Sequence, residues 1–117
     1  MPASIAPVDH PAVICTVDVV LLTLHAGELH VVLHQRPQAP CEGMWALPGG
    51  YIHAQTDPSA WHAAARVLQD KTGIASPYLE QLATHAGPDR DPRGWSVTQV
   101  YFALIPSEGL LLQAGAN

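Results

Sequence analysis

The apolar positions of this chain fall into short extended runs, with one stretch of helical periodicity in the middle. Residues 12–24 (AVICTVDVVLLTL) are almost continuously apolar and β-branched, which predicts one long strand interrupted by a single charge, Asp18. HAGE follows as a hairpin turn, and residues 28–36 (ELHVVLHQR) return as a second strand with His30 and His34 on one face. Residues 37–44 hold Pro37, Pro40 and Gly43 and read as a loop, after which WALPGG makes a short strand ending in two glycines. Over residues 58–72 the period changes. Ala60, Ala64, Val67 and Leu68 recur at helical spacing with Arg66, Gln69 and Asp70 on the other side, so a helix presents a narrow alanine-rich face to a sheet. Thr56 or Asp57 is placed to cap it, Pro58 suits its first turn, and Gly73 supplies a left-handed exit. Residues 78–85 (YLEQLATH) have mixed periodicity and are assigned to a strand because they lead into the turn-rich run GPDRDPRG. Residues 95–105 (WSVTQVYFALI) alternate as a further strand of the main sheet.

The expected fold class is therefore α/β, a mixed twisted sheet with a helix packed on it. Residues 1–11 are Pro-rich and polar and read as a loose arm. Residues 12–117 read as one domain, whose tail SEGLLLQAGAN looks like a chain cut short before a closing C-terminal helix. Gly49 and Gly50 stand where a strand must bend tightly or let backbone approach a neighbour closely. A strand that ends in two glycines and feeds a helix suits a phosphate site. Asp18 reads as a strand residue facing a polar pocket or a sheet end.

Composition narrows the function classes. The chain has 117 residues, 48% hydrophobic and 13% charged, enough for one globular domain. With five Lys and Arg against ten Asp and Glu, its formal charge is -5, which argues against nucleic-acid binding through this segment. A small anion at one local basic spot is compatible with the same count. Cys15 and Cys41, the only cysteines, lie in no CxxC pair, so structural zinc is not expected and a reduced pair is. No run approaches the length that spans a bilayer, and the expectation is a soluble, cytoplasmic protein.

Three motifs carry a resemblance: QRP at residues 35–37, EGMWALPGGYI at 42–52 and AARVLQDKTGI at 64–74. Together they resemble the Nudix family, whose members follow G-x5-E-x7-R-E-U-x-E-E-x-G-U with U a bulky aliphatic residue. Arg66, Leu68, Asp70, Gly73 and Ile74 take the R, U, first paired E, G and U positions. LATHAGPDRDPRG is similar to the branch holding ADP-ribose pyrophosphatases and the related nicotinamide-metabolism regulators. The resemblance implies an α/β/α sandwich, a small-molecule nucleotide substrate or ligand, Mg²⁺ (or Mn²⁺) as cofactor, and a possible homodimer. The departures are equally specific. Val67 and Lys71 stand where the motif has Glu, the run from Gly50 to Arg66 is longer than the motif prescribes, and it contains no Glu.

Hydrolysis of a pyrophosphate by water requires that its charge be neutralised and the water activated, which hard cations held by oxygen ligands can do. Carboxylates at i, i+3 and i+4 share one helix face and can hold such an ion, but that face here carries Val67, Asp70 and Lys71. Three readings follow. Ligands come from elsewhere (Glu42, Asp57, Glu80 or Glu108), or Lys71 replaces a metal's charge and the pocket binds without cleaving, or the face is packing surface with Val67 in the core. By resemblance, Arg66 and Asp70 are the catalytic candidates, and Asp70, Asp57 and Glu42 the metal candidates. The substrate-binding candidates are Arg36, Trp45, Gly49, Gly50, Lys71, Arg90 and Arg93, the arginines because a guanidinium fork matches an anion and Trp45 as a wall for a base. Arg90 and Arg93 have a simpler alternative, pairing with Asp89 and Asp91 in a solvated loop.

Overall fold

A computed structural model describes residues 11–75 and 78–107. The expected loose arm falls almost entirely, and the cut-short tail and the closing helix largely, outside the described residues. So does Glu108.

Seven strands and a helix follow in order: β1 (Ile14–His25), β2 (Glu28–Val31), β3 (His34–Gln35), β4 (Trp45–Ala46), β5 (Gly49–Tyr51), α1 (Ala60–Thr72), β6 (Glu80–Gly87) and β7 (Ser96–Leu104). The main sheet runs β2-β1-β7-β6, with β5 also paired to β1. β1 lies parallel to β7 from Ile14↔Ser96 to Leu22↔Leu104, and antiparallel to β2 and β5 on its other edge, so the sheet is mixed as expected. The β1–β2 hairpin closes through Ala26 and Gly27, both at positive φ, the arrangement whose twist matches paired strands.

The second predicted strand is corrected to two. Val32 N still donates to Leu21 O at 2.9 Å, but beyond it the chain leaves β1, and His34–Gln35 pairs instead with Trp45–Ala46 in a separate two-stranded sheet. Alternation persists across such a change of partner, so the pattern shows no break there.

Helix α1 begins later than predicted, and neither Thr56 nor Asp57 caps it. Ser59 is the N-cap, in extended conformation, its Oγ accepting from His62 N at 3.2 Å; Pro58 lies outside the first turn. Gly73 ends it at φ 76°, its N–H bonded to Gln69 O at 2.8 Å. The buried face is Ala63, Ala64, Val67 and Leu68, with Ala60 only half-buried at its edge. It rests on Val17, Val19 and Leu21, which alternate inward along β1, and on Tyr101 and Ala103 of β7. Each fully buried Val or Leu contributes roughly 1.5–3 kcal/mol of transfer free energy, and the alanines let helix and sheet approach closely.

Leu68→Ala removes a side chain with no exposure from the centre of this layer. It is expected to lower the unfolding free energy by about 2–5 kcal/mol in urea titration. A loss under ~1 kcal/mol would show that α1 is not the element closing the core.

Candidate functional site

The site begins with the diglycine on β5. Neither Gly49 nor Gly50 has a positive φ, so they serve close approach rather than a bend. A Cβ on Gly49 would overlap Asp18 Oδ1 and come within 3.0 Å of the Val17 carbonyl oxygen. One on Gly50 would press Val67 Cγ2 at 3.3 Å. The first glycine makes room for a carboxylate, the second for the helix. β1, β5 and α1 converge there.

A cavity of about 420 Å³ opens beside this junction. Its lining includes Arg36, Lys71, Arg90 and Arg93, four of the five Lys and Arg in the chain, together with Gly49 and Gly50. The four cations arrive from three parts of the chain. Arg36, at the end of β3, is fixed by Nε donating to Pro40 O at 2.6 Å across the loop that follows. Lys71 projects from the last turn of α1, where the negative end of the helix dipole favours an ammonium. Burial pushes His34 below the usual histidine range, and the charges of Lys71 and Arg36 push it further.

Arg90 and Arg93 come from the loop between β6 and β7. Arg90 donates to the fully buried Ser96 Oγ at 2.6 Å and lies 4.0 Å from Asp18 Oδ2, rather than pairing with Asp89. Arg93 grips Asp91 through Nε at 2.9 Å and NH2 at 2.6 Å, lies 4.8 Å from the Tyr51 ring centroid and donates to the Tyr51 hydroxyl. Its hydrogen bonds hold the Asp91 carboxyl at about 2. Among the described residues, Arg36 and Lys71 have no carboxylate within ion-pairing distance. Those two charges are available to a ligand.

Trp45 lines no part of this cavity and is 61% exposed, neither core nor pocket wall. Arg66, Asp70, Asp57 and Glu42 also lie outside its lining. Arg66 is a clasp. Its Nε and NH2 donate to both Asp57 oxygens at 3.0 and 2.8 Å, and NH2 also donates to Tyr51 O at 2.9 Å, tying the loop after β5 to the helix. Asp57 Oδ2 further accepts from His53 N at 2.7 Å. Asp70 has a side chain 66% exposed, with Oδ2 3.9 Å from Arg66 NH1, and Val67 is 2% exposed in the core.

A divalent cation does not fit this donor set. Asp57 is occupied by Arg66, Asp70 stands alone beside a guanidinium, Lys71 is itself a cation, and among the described residues no three His, Cys, Asp or Glu side chains come together. Among the lining residues that the sequence did not mark as ligand contacts are Asp18 and Tyr51. Asp18 carried a signal, as the lone charge in an apolar strand. Tyr51 carried none.

A NUDIX domain family model matches residues 15–115. The chain is 47% identical over 97 residues to the "ADPR responsive transcriptional repressor NtrR" of Acinetobacter baylyi, an alignment covering 83% of this chain and 39% of that protein. It is 31% identical over 71 residues to the "ADP-ribose pyrophosphatase" of Methanocaldococcus jannaschii, covering 61% and 41%. It therefore spans about two-fifths of the length of these relatives. The NUDIX domain of Shewanella oneidensis NrtR, solved in complex with ADP ribose, superposes with a TM-score of 0.82 at 44% identity, covering 89% of this chain and 68% of that one.

The clasp makes a pH prediction. Arg66 bonds lower the Asp57 carboxyl from 3.8 to about 2, so its stabilisation is complete above the ordinary value and is lost as pH falls toward 2. Asp57→Asn is expected to melt below the unsubstituted protein at pH 7, with the gap closing between pH 4 and 2. A gap independent of pH would refute the clasp.

Proposed function

The chain belongs to the NUDIX domain family, and we propose that its cavity binds a nucleoside diphosphate linked to a sugar, of the ADP-ribose kind, as a sensing site rather than a metal-assisted hydrolytic one. The observation that carries this reading is the convergence of Arg36, Lys71, Arg90 and Arg93 on one cavity of a chain whose formal charge is -5. A diphosphate bridge carries two negative charges over a short distance. Several cations lining one cavity neutralise it without requiring a metal, and low-dielectric walls strengthen each interaction. Arg36, Lys71 and Arg90 supply the charges that meet the phosphates, while Tyr51 with Arg93 offers a flat surface to a base or sugar. The regulator relative, described as responsive to ADPR, supports the sensing role, and the structure solved with ADP ribose supports the ligand class.

Hydrolysis is the competing reading, favoured by the pyrophosphatase relative. It asks a carboxylate cluster of a helix face that carries Val67, Asp70 and Lys71. The two separate on one preparation. Calorimetric titration with ADP-ribose, run beside an assay of AMP release in Mg²⁺, is expected to give saturable binding and no AMP above background. AMP release abolished by Asp70→Ala would overturn the sensing role. Absence of binding would overturn the ligand class.

Lys71 sits on the exposed end of a helix that tolerates alanine. Lys71→Ala is therefore expected to leave the melting temperature within a few degrees and to weaken ADP-ribose binding about 10-fold or more, the worth of one charge-assisted hydrogen bond. Unchanged affinity would remove Lys71 from the site.

A further inference from the structure

A cavity built to attract phosphate has no electrostatic use for a carboxylate, yet Asp18 lines it. Both contacts made by the Asp18 side chain fall on one oxygen. Thr98 Oγ1 donates to Oδ2 at 2.7 Å, and Arg90 NH2 lies 4.0 Å from the same atom. Among the described residues, Oδ1 has no hydrogen-bond donor. The fold nevertheless keeps space for it, because any side chain on Gly49 would overlap Oδ1. Thr98 is 2% exposed and lies across the parallel β1–β7 pair, so the carboxylate is held through Oδ2, while Oδ1 is not buried and has no donor among the described residues.

We propose that Asp18 is the specificity-determining acceptor of this site, its Oδ1 receiving a hydrogen bond from a hydroxyl of the ligand's ribose. This rests on the reading of the cavity as a sugar-diphosphate site and adds how the sugar is told from bare phosphate. An ionised carboxylate repels phosphate oxygens and accepts from hydroxyls, so the same atom disfavours a ligand that is all anion and favours one that brings a hydroxyl. The cations supply attraction for any diphosphate; Asp18 selects those carrying a polyol. Its role as a simple counter-ion of Arg90 is the alternative, and the long 4.0 Å separation gives that pairing little hold.

The test is calorimetric titration of two probes, ADP-ribose and inorganic pyrophosphate, against the unsubstituted protein, Asp18→Asn and Gly49→Ala. Asp18→Asn keeps the side chain's size and a partner for Thr98 while removing the charge. It is expected to weaken ADP-ribose about 10-fold, and to leave pyrophosphate unchanged or bound more tightly. Gly49→Ala keeps the charge but displaces the carboxylate, and is expected to shift the preference in the same direction. Equal weakening of both probes by Asp18→Asn would assign Asp18 to positioning Arg90 and overturn the proposal, as would ADP-ribose affinity unchanged in both variants. If the unsubstituted protein binds pyrophosphate but not ADP-ribose, the sugar-diphosphate reading itself falls. That outcome is distinct from a failure of Asp18 alone.

Discussion

The junction of β1, β5 and α1 depends on two absent side chains. Gly50 lets Val67 close against the strand, and Gly49 leaves the space in which Asp18 Oδ1 lies. Core and cavity meet across these two residues. On one side, Val17, Val19 and Leu21 pack against Ala63, Ala64, Val67 and Leu68; on the other, β1 and β5 carry Asp18 and Tyr51 to the cavity. A substitution here would disturb packing and site together, because well-packed interiors transmit small displacements. The Arg66 clasp extends the junction. It fixes the loop after β5 to the helix through Asp57 and the Tyr51 carbonyl, and Tyr51 in turn receives Arg93 at the cavity.

Valine at position 67 has a physical meaning in this setting. The resembled motif asks for a carboxylate there, and the structure puts the side chain in the core against Gly50, where an unpaired charge would be costly. At position 71 the other motif carboxylate is replaced by an ammonium that lines the cavity. The two departures act together. Acidic groups that could gather a divalent ion give way to packing at one position and to a fixed positive charge at the other. In the sensing account, protein cations take over the neutralisation of phosphate charge.

Much of the fold was legible in the sequence because its signals are local. The β-branched run of β1, the alternation of β7, the helical period around Val67 and Leu68 and the glycine after Lys71 all lie within single elements. The misjudged features depend on partners far along the chain. The second strand divides because β3 pairs with β4 instead of β1, and alternation carries no sign of that change. The helix is capped by Ser59 and not by Asp57, which is held by Arg66, nine residues on. Around the cavity, Arg36, Gly49, Gly50, Lys71, Arg90 and Arg93 were singled out by chemistry and motif, and the structure brings them together. Trp45 was singled out by residue type alone and lies elsewhere. Asp18 showed as an anomaly whose use emerges only beside Gly49 and Thr98, residues distant in sequence.

The central claim is that protein cations, not a metal ion, hold the ligand's diphosphate. It is tested most directly by titrating the protein with ADP-ribose in excess EDTA and again in millimolar Mg²⁺. The account predicts the same dissociation constant in both, with affinity falling as salt screens the cavity charges. Binding that disappears in EDTA and returns with Mg²⁺ would contradict it.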